Sequence, residues 1–287
     1  MSSRTFCHFL FLGCLGCVSS LGQTSTSEFA NPQRVQITGY TGDAMEPFLS
    51  RDGKYLFFNN SNDPRVNTNL HWATRLDDLT FQYKGEIQGV NTNALEGVPS
   101  MDRYGVFYFV STRSYEQTAS TIYRGIFLNG NVSGIELVPG VSIAKPGIVN
   151  FDAEISANGN TLYFVESQFT HGQPRTAAIL IARKDGSAFV RVSDSARIME
   201  QINTSGLNYA AATSAGELEL FFTRLVGNSP AVYMATRSNG SSPFNRPKKI
   251  AAITGFAEAP TLSLDGKSLY FHKKENGQFG IYRVTRQ

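Results

Sequence analysis

Cysteine is confined to the first seventeen residues of this 287-residue chain, as Cys7, Cys14 and Cys17. The rest of the sequence can therefore use neither disulfides nor thiol chemistry. Charged residues make up only 17%, below the roughly 25% of average globular proteins, which excludes a coiled coil or a solvated disordered chain. A formal net charge of +3 is too small to indicate binding to nucleic-acid phosphates, so we expect no nucleic-acid partner.

The cysteines belong to an apolar segment, Phe6 to Leu21, that follows Arg4 and contains no acidic residue. A basic start, a short apolar run and small residues at its end are typical of a secretory signal peptide. The run is short for a membrane-spanning helix, which needs about 20 residues, and no later segment is apolar for long enough. We expect a signal peptide over residues 1–22 and a secreted or periplasmic domain over residues 23–287. A membrane anchor, a buried first helix, and a lipid anchor at Cys14 are the alternatives.

One sequence pattern recurs five times, at intervals of about 50 to 58 residues. Each copy reads as a short strand ending near Ser or Thr, a polar turn that usually contains Gly, and an apolar strand ending in aromatic residues. An alternating strand follows every copy, and a more polar strand follows four of them. This period matches a four-stranded propeller blade with long loops. The copies are Glu46–Phe58, Glu96–Phe109, Asp152–Phe164, Tyr209–Phe222 and Glu258–Phe271.

The two ends of the chain predict how these repeats are arranged. The last repeat stops at Gln287 without its outer strand, whereas Phe29–Asp43 resembles Phe244–Glu258, which contains an outer strand. We predict that Arg34 to Thr38 joins the last repeat, closing a ring and removing two exposed strand edges. The predicted fold is all-β, a single five-bladed β-propeller whose last blade is completed by an N-terminal strand. A β-sandwich or an open array of hairpins would leave the displaced strand unexplained.

Two copies of the repeat contain the sequence Pro-x-x-Ser-x-Asp-Gly, at Pro47–Gly53 and Pro260–Gly266. This pattern resembles the WD-like propeller repeat of TolB-type periplasmic proteins, although the second and fourth repeats depart from it. The resemblance covers essentially all of the chain after the signal peptide and implies an exported propeller. Propellers of this type include docking platforms, sugar-binding modules and enzymes, and the fold alone does not choose among them.

Acidic residues recur where the innermost strands begin, on the face that the loops between second and third strands also reach. Acids that converge on the ring axis repel one another, which drives their pKa values apart unless cations intervene. The loops offer cations and a further acid, so we expect a mixed ring that binds a polar ligand. The ring consists of Glu46, Glu96, Asp152, Glu258, Glu166, Arg113, Arg224 and Lys273.

Two functions are compatible with this ring. The first is a docking module that presents an acid-lined central face to a glycan, peptide or protein. The alternative is a glycosidase in which Glu46, Glu96 and Asp152 supply the paired carboxylates that cleave a glycosidic bond. Acids that only cap turns between blades are the structural explanation. No serine-hydrolase, phosphate-binding or dinucleotide motif is present.

A polar loop between Asn59 and Asn69 is the one candidate for an ion or a sugar outside this ring. Its amides and Asp63 offer oxygen ligands of the kind that calcium prefers, but it lacks the alternating acids of an EF-hand. His71, His171 and His272 are not spaced as metal ligands. We predict no metal or cofactor, with calcium at Asp63 as the one candidate, and a monomer.

Overall fold

The structure, a computed structural model, describes residues 28–63 and 65–287, which form five small β-sheets arranged as a five-bladed β-propeller. The predicted all-β propeller is therefore confirmed. The predicted signal peptide lies outside the described residues.

The strands are best listed by their position within a blade. The innermost strands are β3 (Met45–Leu49), β7 (Glu96–Met101), β11 (Ile148–Ile155), β15 (Leu207–Thr213) and β19 (Phe256–Leu262). The second strands are β4 (Tyr55–Asn59), β8 (Val106–Ser111), β12 (Thr161–Thr170), β16 (Glu219–Val226) and β20 (Ser268–Glu275). The third strands are β5 (Leu70–Arg75), β9 (Ile122–Leu128), β13 (Gln173–Asp185), β17 (Ser229–Thr236) and β21 (Gln278–Arg286). The outer strands are β6 (Thr80–Glu86), β10 (Asn131–Leu137), β14 (Ala188–Arg191), β18 (Lys248–Lys249) and β1 (Phe29–Arg34).

Three short elements complete the described chain: β2 (Gln36–Thr38), α1 (Tyr115–Thr118) and α2 (Ser195–Ile198). We call the face where the innermost strands begin the entry face, and the face with the hairpins between first and second strands the turn face.

The N-terminal segment joins the first and last blades. β1 pairs antiparallel with β21 of the last blade, and β2 then pairs in parallel with β6 of the first blade. The crossover occurs at Val35, whose N–H donates to Ile281 O, while the N–H of Gln36 donates to Leu79 O. The predicted closure is confirmed, but the closing strand is Phe29–Arg34 rather than Arg34 to Thr38. The later residues instead cover the outer edge of the first blade.

The aromatic residues of the second strands fill the contacts between blades. Successive side chains of a strand point to opposite faces of its sheet. Phe57 therefore packs toward the second blade, 5.1 Å from the ring of Phe107 and 4.9 Å from that of Phe127. Its neighbour Phe58 packs toward the last blade, in the cluster that contains Tyr270. One aromatic pair thus serves two interfaces of the ring.

Every innermost strand contains a β-bulge with one residue in the left-handed region of backbone space. A residue with a side chain costs about 1–2 kcal/mol in this conformation. Four of the bulges turn an N–H toward a side-chain acceptor in another blade; the N–H of Ala259, for example, donates to Thr223 Oγ1 at 2.9 Å. The bulged residues are Glu46 (φ 47°), Val98 (φ 53°), Asp152 (φ 50°), Ala210 (φ 50°) and Ala259 (φ 52°).

Candidate functional site

The five bulges surround a small cavity on the propeller axis. Its volume is about 30 Å³, which is room for about two water-sized groups. Small apolar side chains, Val98, Ala210 and Ala259, form part of its wall, and the carboxylates of Glu46 and Asp152 form another part. We call this space the axial cavity.

Asp152 and Glu46 are both 7% exposed, and each has one carboxylate oxygen occupied. Asp152 Oδ2 accepts the backbone N–H of Ala210 at 2.7 Å, and Glu46 Oε1 accepts Nδ2 of Asn62 at 2.7 Å. No donor among the described residues bonds to the second oxygen of either group. Each carboxylate in the wall of the axial cavity therefore keeps one oxygen for a further donor.

Beside them lies a chain of hydrogen bonds centred on Glu258. Its Oε1 accepts the hydroxyl of Tyr209, and its Oε2 lies 3.2 Å from Nε2 of His272. Nδ1 of the same imidazole accepts the backbone N–H of Glu46 at 3.0 Å, so the proton of a neutral ring is on Nε2. Because both ring nitrogens are occupied, His272 positions Glu258 and is not available as a general base.

The electrostatics of this group are dominated by burial without an arginine or lysine partner among the described residues. Burial, reinforced by the nearby charge of Glu46, raises the pKa of Asp152 well above its ordinary value. Burial also raises the pKa of Glu46, where the charge of Glu258 adds to the effect and His272 opposes it. The pKa of the Tyr209 hydroxyl rises because the group is buried and faces Glu258. Glu46 and Asp152 therefore retain protons more strongly than exposed acids do.

Three other buried glutamates of the propeller each have an arginine close by. Glu154 Oε1 lies 2.8 Å from Nη2 of Arg51, Glu96 Oε1 lies 3.3 Å from Arg113, and Glu217 Oε2 lies 3.8 Å from Arg237; all three acids are less than 9% exposed. Glu46 and Asp152 have no arginine or lysine partner within residues 28–63 and 65–287.

The structure does not bring Glu96 to the axial cavity. Its carboxylate accepts bonds from the N–H and hydroxyl of Thr92, the hydroxyl of Ser111 and the guanidinium of Arg113, all within the second blade. Relative to the bulged residues, Glu96 lies two positions early, whereas Glu46 and Asp152 are at the bulge itself. Glu96 is thus a structural member of its blade.

The predicted cations also serve their own blades. The guanidinium of Arg113 lies 5.1 Å from the ring centre of Tyr123, and that of Arg224 lies 4.9 Å from Tyr233. Arg224 Nε donates to Oδ1 of Asn208 at 2.8 Å. Asn208 lies two positions before the bulged residue of its strand, as Glu96 does in the second blade. These arginines stiffen the entry to the innermost strands and do not reach the axial acids.

The remaining predicted site residues form local pairs on or near the entry face. Glu166 Oε2 lies 2.6 Å from Arg191, and Lys273 Nζ lies 3.5 Å from Glu275. Sequence reasoning did not assign Tyr209, Asn62 or the positioning role of His272. The sequence does contain a signal for the role of His272. This residue directly follows the aromatic pair that ends the repeat pattern, at the position that Asn59 and Thr223 occupy in other blades.

The polar loop of the first blade does not fit a calcium ion. Both oxygens of Asp63 face the guanidinium of Arg65, at 2.6–3.2 Å, and Nδ2 of Asn59 donates to Oδ1 of Asn62. The strongest oxygen ligands of the loop are therefore already used. In the part of the chain that the structure describes, no group of three His, Cys, Asp or Glu side chains is placed to hold a metal ion.

Comparison with known proteins finds similarity in structure only. No family model matches the sequence, and no curated protein matches it either. A thermostable family-43 glycoside hydrolase superimposes with a TM-score of 0.57 at 12% identity, covering 87% of this chain and 91% of that one. A family 117 glycoside hydrolase from Zobellia galactanivorans gives 0.59 at 12% identity, covering 90% of each chain. At such identities the similarity concerns the fold alone.

TolB from Acinetobacter baumannii is also among the similar structures. Its TM-score is 0.47 at 16% identity, and the match covers 86% of this chain and 55% of that one. The chain thus spans about half the length of that TolB. Among the described residues, no helix is both long enough and apolar enough to cross a membrane.

Proposed function

We propose that this protein is an exported docking propeller that receives a cationic side chain or amino terminus of a protein or peptide partner in its axial cavity. One observation carries the proposal: among the described residues, no arginine or lysine pairs with the buried acids Glu46 and Asp152, whereas Glu96, Glu154 and Glu217 each have an arginine close by. An ammonium group from a partner would supply the missing charge through charge-assisted hydrogen bonds.

The size of the axial cavity favours an ammonium over a sugar. A volume of about 30 Å³ accommodates a group the size of one or two waters, which is far smaller than a sugar ring. A glycan would therefore have to stay outside the axial cavity, where Asp152 and Glu46 could not flank its glycosidic bond. For this reason the geometry supports the glycosidase alternative less well than docking.

An aromatic surface at the entry face would help to hold a cationic segment. Phe256 is 39% exposed and precedes Glu258 by two positions on β19, so both side chains leave the same side of the strand. Its ring packs edge-on against Phe279 at 5.9 Å, and Phe279 in turn contacts His272 at 5.4 Å. Aromatic faces attract ammonium groups, which gives such a partner a second contact.

Immobilised peptides that differ only in one central residue would test the proposal. Peptides with central lysine should bind the protein, and those with norleucine should not. Asp152→Asn should weaken lysine-peptide binding at least tenfold, because it removes the charge that faces the ammonium. Glu200→Gln, which changes an exposed acid far along the chain, is the matched control and should bind like the unaltered protein.

Two outcomes would count against this function. Equal binding of lysine and norleucine peptides would show that charge is not recognised. Cleavage of an oligosaccharide panel by the unaltered protein, lost in Asp152→Asn but kept in Glu200→Gln, would favour the glycosidase instead.

A further inference from the structure

The fourth blade has an unusually short outer strand. β18 contains two residues, whereas the outer strands of the other blades contain four to seven. The sequence predicts a longer strand that begins at Phe244, but Pro247 lacks the N–H that continuous pairing requires. The N–H of Asn245 still donates to Thr236 O of β17, without extending the strand. Only Tyr233 and Met234 of β17 pair with this strand. A groove of about 250 Å³ remains between the outer edge of this blade and the beginning of β1; we call it the rim groove.

The floor of the rim groove is apolar and firmly packed. Phe29, Ala235 and Ile250 are 3–7% exposed, and Met234 packs beside them. Phe29 is held edge-on against Phe221 at 5.7 Å. Phe29 and Ile250 belong to the core between the last two blades, against which Met234 packs, and Ala235 belongs to the core between the third and fourth blades. The floor is therefore preformed and would need little reorganisation on binding.

The margin of the rim groove is basic. Arg246, Lys248 and Lys249 are exposed, and none of them forms an ion pair with any described residue. Among the described residues, Glu28 is the one acid that lines the groove. Three positive charges against one negative charge, above an apolar floor, form a surface of the opposite sign to the axial cavity.

We propose that the rim groove binds a small organic anion that has an apolar body and a carboxylate or phosphate head. The body would lie on Met234 and Ile250, and the head would accept charge-assisted hydrogen bonds from the three cations. The volume is below the ~300–1,000 Å³ typical of pockets for drug-sized ligands, so the body is a single small ring system or a short chain. This site is independent of the proposed docking of a cation on the axis.

Fluorescence titration of the whole chain with 2-naphthoate tests the charge recognition. Neutralising the margin with the triple variant Arg246→Gln, Lys248→Gln and Lys249→Gln should weaken binding at least tenfold. The matched triple variant Lys84→Gln, Lys145→Gln and Arg175→Gln removes the same charge from exposed positions elsewhere and should leave binding within twofold. Equal losses in both triple variants would overturn the proposal, because only net charge would then matter.

A second pair of measurements tests the groove itself. Ala251→Phe places a ring at the exposed wall of the rim groove without changing charge, and it should weaken 2-naphthoate binding at least fivefold. The neutral analogue 2-naphthalenemethanol should bind at least tenfold more weakly than 2-naphthoate to the unaltered protein. Unchanged binding in Ala251→Phe, or equal binding of the neutral analogue, would overturn the proposal.

Discussion

The two ends of the axial cavity hold buried carboxylates under opposite conditions. Toward the turn face, Glu154 accepts bonds from Arg51 of the first blade, Ser100 of the second and the N–H of Thr213 of the fourth, at 2.8, 2.8 and 3.2 Å. Toward the entry face, Glu46 and Asp152 accept one bond each and face no arginine. Carboxylates buried to nearly the same degree thus have their charge compensated by hydrogen bonds and an arginine at one end of the axial cavity and not at the other.

This difference assigns a role in stability to the end of the axial cavity near Glu154 and a role in binding to the end near Glu46 and Asp152. Moving a carboxylate out of water is costly, and a well-placed guanidinium with further hydrogen bonds offsets that cost within the fold. At Glu154 the compensation is internal and links four of the five blades. At Asp152 it is missing, and titratable groups left in this state are characteristic of functional sites. The comparison makes predictions of opposite sign for the two ends.

The largest effect is expected at the compensated end. Arg51→Met should lower the free energy of unfolding by about 3–5 kcal/mol, because it leaves Glu154 buried without its cation. Chemical denaturation measured by fluorescence would show the change. The control is Arg65→Met, which breaks an exposed pair with Asp63 and should change the free energy of unfolding far less, because solvent screens that pair.

A double variant sharpens this first prediction. Replacing both partners, as Arg51→Met with Glu154→Leu, removes the uncompensated charge as well and should lose less stability than Arg51→Met alone. If Arg51→Met cost no more than Arg65→Met, the link around Glu154 would not be a determinant of stability.

At the uncompensated end, removal of a charge should stabilise the free protein. Asp152→Asn should raise the free energy of unfolding at pH 7, because it removes a carboxyl group whose burial raises its pKa and penalises its charged form. The asparagine oxygen can still accept the N–H of Ala210. Thermal unfolding would detect the gain. Asp194→Asn, at an exposed acid beside Arg197, should instead cause a small loss; a loss at Asp152 would contradict the comparison.

The dependence of stability on pH should distinguish the same two variants. Burial raises the pKa of Asp152 above its ordinary value of 3.8, so above that pH the folded state holds a proton that the unfolded state has released. Stability contributed by this group therefore falls as pH rises through that window. Burial lowers the pKa of His71 below its ordinary value of 6.5. Stability contributed by this histidine therefore rises with pH over part of the same pH range. The difference between unaltered protein and Asp152→Asn isolates the first effect.

Denaturation midpoints at pH 4, 5.5 and 7 would measure this difference. The gain in stability from Asp152→Asn should grow with pH, because the Asp152 carboxyl group of the unaltered protein loses its proton progressively as pH rises. An advantage that is constant with pH would contradict the assigned cause.

The ring of five blades was predictable because its evidence lies in sequence repetition and in the two chain ends. The boundary of the closing strand was not, since β21 and β6 both offer edges to the same N-terminal segment and pairing divides it at Val35. The sequence also does not reveal that Pro247 limits the outer strand of the fourth blade to Lys248–Lys249 until the pairing is seen.

The candidate site was predictable in composition but not in register. Aligning the repeats by their acids placed Glu96 beside Glu46, whereas the bulge aligns Glu46 with Val98. A proline follows each bulged residue, Pro47 after Glu46 and Pro99 after Val98, so aligning the repeats by these prolines gives the correct register. Cation placement escaped prediction for a different reason: Arg51 crosses to Glu154 of the third blade, more than a hundred residues away.

The smallest effect concerns the backbone that shapes the uncompensated end. Ala210 has a φ of 50° at its bulge, and glycine adopts that conformation without strain. Ala210→Gly should therefore be neutral or stabilise the protein by about 0.5 kcal/mol, because relief of strain offsets the added entropy of the unfolded chain. Ala212→Gly, two residues on in β15 and 3% exposed, should lose about 1 kcal/mol. Equal losses at both positions in denaturation experiments would mean that the bulges around the axial cavity store no strain.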